Sequence, residues 1–168
     1  MEITIVQAVL IGLWTGVCLS GMLLGIYTNR CLIMATGVGL ILGDLPTGLA
    51  MGAVGELAFM GFGVSQGGSV PPNPMGPGII GSIMAITMKG AGVDVATALA
   101  LSFSFAVAFQ FVITLVYTAM AGVSATATKA LENKQFKKFR LCCNLTVWVF
   151  LVLGFVFGFA GAMSAEGL

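Results

Sequence analysis

Asp44 and Glu56 are the only acids in this chain flanked by apolar sequence on both sides, and neither has a lysine or arginine nearby in sequence. A carboxylate in an apolar membrane setting costs several kcal/mol unless it is paired, protonated or wetted, so such residues usually mark a pathway. Asp44 stands just before Leu45-Pro46-Thr47. An N-cap acid with proline inside the first turn is a helix-start signal, so capping accounts for it as well as solute contact does. Glu56 sits mid-segment, where the local sequence offers nothing for it to cap. It is expected to accept a hydrogen bond from a polar solute or to carry a proton. Gln66, Ser69 and Asn73 follow in a proline-rich stretch, and Gln110 lies within a later apolar run. These amides and hydroxyls both donate and accept, which is what a polyhydroxylated ligand such as a sugar needs.

Composition sets the stage for these groups. The chain has 168 residues, of which 58% are hydrophobic and 8% charged, against about 25% charged in ordinary soluble domains. That points to a single membrane domain. A net charge of +1 gives no electrostatic pull on nucleic acid, which needs clustered basic surface. The chain contains no histidine, which excludes a His-based zinc site, a Ser-His-Asp triad and a His phospho-acceptor. No catalytic nucleophile is evident, and no cofactor or metal is expected. Cys18, Cys31, Cys142 and Cys143 have neither metal-ligand nor disulfide-framework spacing and read as small buried hydrophobes.

The segment 63–78 interrupts this apolar sequence with four prolines and five glycines, inside an uncharged run from Leu57 to Met88. Proline removes an amide donor and clashes with the preceding turn, so regular helix is not expected there. Irregular backbone at membrane depth survives only where protein or a water-filled cavity satisfies its freed groups. A broken, re-entrant segment of this kind marks a solute path.

Charge gaps divide the rest. Twenty-seven uncharged residues separate Glu2 from Arg30, enough to cross the hydrocarbon layer of about 30 Å. With Glu2 in place of a basic leader, this stretch reads as a retained anchor rather than a cleaved signal. Within it Gly12, Gly16 and Ser20 recur every four residues, a close-packing face. Tyr27 and Arg30 suit an interfacial anchor. Cys31–Gly43 is apolar but only 13 residues long, about 20 Å as helix, and is expected to meet a second half-length helix, 47–62, near Asp44. Gly48 and Gly52 are spaced for packing. Ile79–Met88 is a further short apolar piece. Ala96–Met120 can span, as can 141–163, which carries Gly154 and Gly158 on one side. Between them, 129–140 holds five basic residues and one acid and is expected on the cytoplasmic side. The fold class that follows is an all-α polytopic membrane protein combining full spans, half-length helices and a re-entrant Pro/Gly loop.

At these residues the chain resembles enzyme IIC, the membrane component of the mannose/fructose/sorbose family of bacterial phosphotransferase systems. The resemblance rests on Gly43-Asp44-x-x-Thr47-Gly48, on Glu56-Leu57, on the loop Gly67-Gly68-Ser69-Val70-Pro71-Pro72-Asn73, and on Gln110 within the next long span. Order and spacing agree over about residues 1–125. The resemblance implies a multi-pass, sugar-translocating subunit of the bacterial inner membrane that pairs with an enzyme IID protein. A separate soluble IIAB protein would phosphorylate the incoming hexose or amino sugar. It carries over Asp44, Glu56, Asn73 and Gln110 as sugar-site candidates. The family loop commonly ends in Pro-Asp, whereas this chain has Asn73, and family members extend further at the C-terminus, so this chain is expected to be truncated. Two other classes stay open, the first on small size and a lone carboxylate, the second on the short C-terminus. One is a proton-carrying proteolipid of a rotary ring, which would show two similar hairpins. The other is a fragment that assembles without transporting.

Overall fold

Residues 3–58 and 74–165 are described by a computed structural model, and among them every regular element is helical. The first helix, α1, runs Ile5–Leu23, about 28 Å at 1.5 Å per residue. It ends in a left-handed turn at Gly25, φ 73°, where the Ile26 amide donates back to the Gly21 carbonyl at 3.0 Å, the helix-stop pattern that favours glycine.

Two short helices follow. α2 spans Cys31–Leu42 and closes on Gly43, φ 81°; α3 spans Leu45–Ala58. They form an antiparallel hairpin with Asp44 at its elbow. Glycine makes the hairpin tight: a Cβ on Gly48 would lie 2.7 Å from the Ala35 carbonyl oxygen and 2.9 Å from the Gly39 Cα. The two half-length pieces expected around Asp44 are therefore present as folded units.

After α3 the next described residue is Pro74. Met75 is already helical, Gly76–Gly81 winds as a π-helix with proline near its start, and α4 continues from it over Ser82–Gly90. The sequence suggested irregular backbone as far as Gly78. Instead Pro77 sits in the first π-helical turn, where an amide donor would lack a partner anyway. The stretch from Met75 to Ile86 is wholly buried and forms the centre of the fold. Met75, Ile79 and Ile83 pack there with Ile11 and Leu19 of α1 and Met34 and Val38 of α2. The Ser82 hydroxyl, also buried, has no hydrogen-bond partner among the described residues.

α5 runs Val95–Glu132 and is capped by Asp94, whose side chain accepts from the Ala96 amide. At 38 residues it is about 57 Å long, and it carries on a full three turns beyond the expected end at Met120. Ala130 and Leu131 favour helix, and the chain turns only at Lys134, φ 55°. α6, Phe136–Ser164, is by length and composition able to cross a membrane on its own, the one such helix among the described residues. Its buried ridge is Phe150, Gly154, Gly158 and Ala162, while Leu145, Trp148, Val152 and Val156 are exposed on its outside. A helix with apolar residues on both faces suits lipid rather than water.

α1 packs against α6 through the glycines that the sequence had singled out. A Cβ on Gly16 would meet the Leu151 carbonyl oxygen at 2.6 Å, and one on Gly154 would meet the Gly16 Cα at 2.7 Å. The two small-residue faces thus face each other.

Candidate functional site

The α2–α3 hairpin carries both of the acids that apolar sequence flanks, one at each end. At the elbow, Asp44 is the N-cap of α3. One carboxylate oxygen accepts from the Thr47 amide at 3.3 Å, and the other from the Thr47 hydroxyl at 2.8 Å. Lys89, at the end of α4, then closes a triangle. Its ammonium lies 2.6 Å from the same Asp44 oxygen and 2.8 Å from the Thr47 hydroxyl oxygen. The capping account of Asp44 is thus complete within the protein, and its charge is balanced by a cation far away in sequence.

Glu56 lies near the other end of the hairpin. Twelve residues at 1.5 Å each separate it from Asp44, about 18 Å along α3. A single monosaccharide cannot touch both acids. One oxygen of Glu56 forms an ion pair with the Arg30 guanidinium. The other accepts, at a long 3.4 Å, from the Leu32 amide, one of the donors that the first turn of α2 leaves without an intrahelical partner. Glu56 therefore caps a helix after all, though not its own. The pair is not sealed: the side chains are 41% exposed for Arg30 and 23% for Glu56. A carboxylate has about four lone-pair sites and a guanidinium five donors, so among the described residues most of the hydrogen-bonding capacity of this pair is unused.

Pro74 lies at the same corner. The Cys31 thiol donates to the Pro74 carbonyl at 3.4 Å, and a Cβ on Gly78 would lie 2.9 Å from the Met34 Cβ. A Cβ on Gly55 would press on Pro77 at 3.0 Å. The start of α2, the end of α3 and the π-helix thus converge on the Arg30–Glu56 pair. Gln66, Ser69 and Asn73 lie outside the described residues. Gln110 is placed on α5, and its side chain also lies outside them.

Arg30 and Lys89 are the residues that local sequence patterns missed. Arg30 reads as an interfacial anchor and Lys89 as part of a polar break. A charge census would have found them. Between residues 3 and 128 the cations are Arg30 and Lys89 and the acids Asp44, Glu56 and Asp94. Asp94 stands where α5 needs a cap, which leaves two cations for two acids.

Known proteins place this architecture. The family described as the PTS system sorbose-specific IIC component matches residues 5–168. The chain is 36% identical over 136 residues to the provisionally named N-acetylgalactosamine permease IIC component 2 of Escherichia coli (strain K12), covering 80% of this chain and 99% of that one. It is 31% identical over 143 residues to the PTS system sorbose-specific EIIC component of Klebsiella pneumoniae, covering 82% of this chain and half of the relative. Among solved structures, the mannose transporter ManYZ in complex with microcin E492 contains a similar chain. The TM-score is 0.76 at 26% identity, over 98% of this chain and 65% of that one. The family match runs across nearly the whole length, and the chain belongs to the family of sorbose-specific IIC components of the PTS system.

Proposed function

We propose that this chain is a sugar-translocating IIC subunit of a phosphotransferase system, passing several times through the bacterial cytoplasmic membrane. It takes up a hexose or an amino sugar together with a IID membrane protein, and a soluble IIAB protein phosphorylates the solute. The partly exposed Arg30–Glu56 pair, at the corner where α2, α3 and the π-helix converge, carries the proposal for the site. A sugar hydroxyl needs an acceptor and a donor side by side. Glu56 offers the acceptor and Arg30 the donor, with the polar side chains Gln66, Ser69, Asn73 and Gln110 as further contacts. Asp44, already satisfied by Thr47 and Lys89, fixes the elbow instead of meeting the same sugar. Relatives named for N-acetylgalactosamine and for sorbose support a sugar as the solute.

The test is sugar binding by the purified chain reconstituted with its IID partner. Glu56→Gln keeps the size and one carbonyl acceptor but removes the charge. A charge-assisted hydrogen bond contributes about 1.5–3 kcal/mol, so affinity should fall by roughly 10- to 100-fold. Wild-type affinity with assembly intact would rule out direct contact. Loss of assembly would make Glu56 a packing residue, and assembly with IID without any sugar binding would favour a non-transporting subunit.

A further inference from the structure

Between the end of α5 and the start of α6 lies a half-open cavity of about 350 Å³, at one end of the membrane-crossing helix and at the low end of the range of about 300–1,000 Å³ typical of small-molecule sites. Leu23 of α1, Ala127 and Leu131 of α5 and Phe139 of α6 form its apolar wall. Its three hydroxyl-bearing lining residues have turned their donors inward. Ser124 donates to the Met120 carbonyl, Thr128 to that of Ser124 and Thr146 to that of Cys142, at 3.4, 3.1 and 2.9 Å. The cavity therefore presents little free polarity and suits a hydrocarbon chain.

The chain around that cavity carries the opposite character. Lys129, Lys134, Lys137, Lys138 and Arg140 occupy the end of α5, the turn and the first turns of α6, with Glu132 as the only acid among them. All five cations are exposed, and neither of the ion pairs among the described residues involves any of them. Lys129 adjoins the lining residue Thr128, and Phe139 lies between Lys138 and Arg140. Uncompensated cations next to a greasy cavity, at the end of a membrane span, match the shape and charge of a phospholipid with an anionic headgroup.

We propose that this cavity is a binding site for an anionic phospholipid, with one acyl chain in the cavity and the phosphate among Lys129, Lys138 and Arg140. Surface orientation alone would require the cations but not the cavity. The site requires both.

The full chain, purified in detergent and placed in phosphatidylcholine nanodiscs with or without phosphatidylglycerol, provides the test, with bound lipid counted by native mass spectrometry. Phosphatidylglycerol should be retained selectively. Attraction of about 1 kcal/mol per basic residue predicts about a fivefold loss of affinity for each cation neutralised. Replacing Lys129, Lys138 and Arg140 together by glutamine should weaken retention about a hundredfold. Ala127→Trp, which fills the cavity and leaves every charge in place, should also release the lipid. Thermal unfolding checks that each variant is folded, and Lys138→Gln alone, at about fivefold, serves if the triple variant is not. Four results would each overturn the proposal. They are equal retention of both lipids, Ala127→Trp retaining phosphatidylglycerol, inorganic phosphate displacing it as well as a lipid does, and a lipid-free dimer in which a second copy fills the cavity.

Discussion

Gly16→Ala is the substitution whose cost the α1–α6 interface fixes most tightly. The new methyl would lie 2.6 Å from the Leu151 carbonyl oxygen, where ordinary contact begins near 3.4 Å. The helices must therefore separate locally by about 0.8 Å, because the obstacle is backbone and no rotamer can move it aside. Overpacking of this kind costs about 1–3 kcal/mol, set against a helix-propensity gain of about 1 kcal/mol for removing a glycine. The net expectation is a loss of up to about 2 kcal/mol. Gly122 in α5 is the matched control, since a Cβ there meets nothing within 4 Å. Gly122→Ala should stabilise by about 0.5–1 kcal/mol through propensity alone. Gly154→Ala attacks the same contact from the other side, so the double variant with Gly16→Ala should cost less than the sum of the singles. Denaturant unfolding of the purified protein, followed by fluorescence of Trp14 and Trp148, reads all four. Shifts of the same sign for Gly16→Ala and Gly122→Ala would refute the close-contact account.

The remaining expectations concern charge and access. Asp44→Ala removes both the cap and the partner of Lys89 and should cost about 1–2 kcal/mol, whereas Asp44→Asn keeps an N-cap acceptor and should cost less, by the same unfolding assay. Cys18 and Cys31 are fully buried while Cys143 is exposed and Cys142 partly so, so a maleimide should modify the second pair at once and the first only after denaturation. A cysteine at Asn133, in a background whose native cysteines are replaced, should react with an impermeant thiol reagent only in opened cells, and labelling of intact cells would reverse the orientation.

Spacing carried much of the fold. Small residues at four-residue intervals identified both faces of the α1–α6 contact, because close helix approach in lipid demands them. Asp44 with Pro46 identified the elbow, because a helix start has a local chemical signature. What local patterns could not reach were interactions closed by the fold. Glu56 has no neighbour in sequence to cap, yet it faces the first turn of α2 because α3 folds back antiparallel beside it. The end of the Pro/Gly stretch was misjudged for a related reason. Proline forbids regular helix in general but is tolerated in an opening turn, and only packing of Gly76–Gly81 against α2 and α3 reveals where that turn begins.

The placement of charge on the α2–α3 hairpin has an electrical consequence. Each short helix has a carboxylate at its positive N-terminal end, Glu56 for α2 and Asp44 for α3, which favours the helix dipoles. Each carboxylate is in turn matched by one cation from outside the hairpin proper, Arg30 or Lys89. Hairpin and partners together are electroneutral. A net elementary charge moved through the membrane field would involve about 2.3 kcal/mol per 100 mV. Any displacement of this unit with its pairs intact moves none, so uptake that depends on it should proceed at the same rate in polarised and depolarised vesicles. Arg30→Gln would leave Glu56 uncompensated and should make that rate depend on voltage.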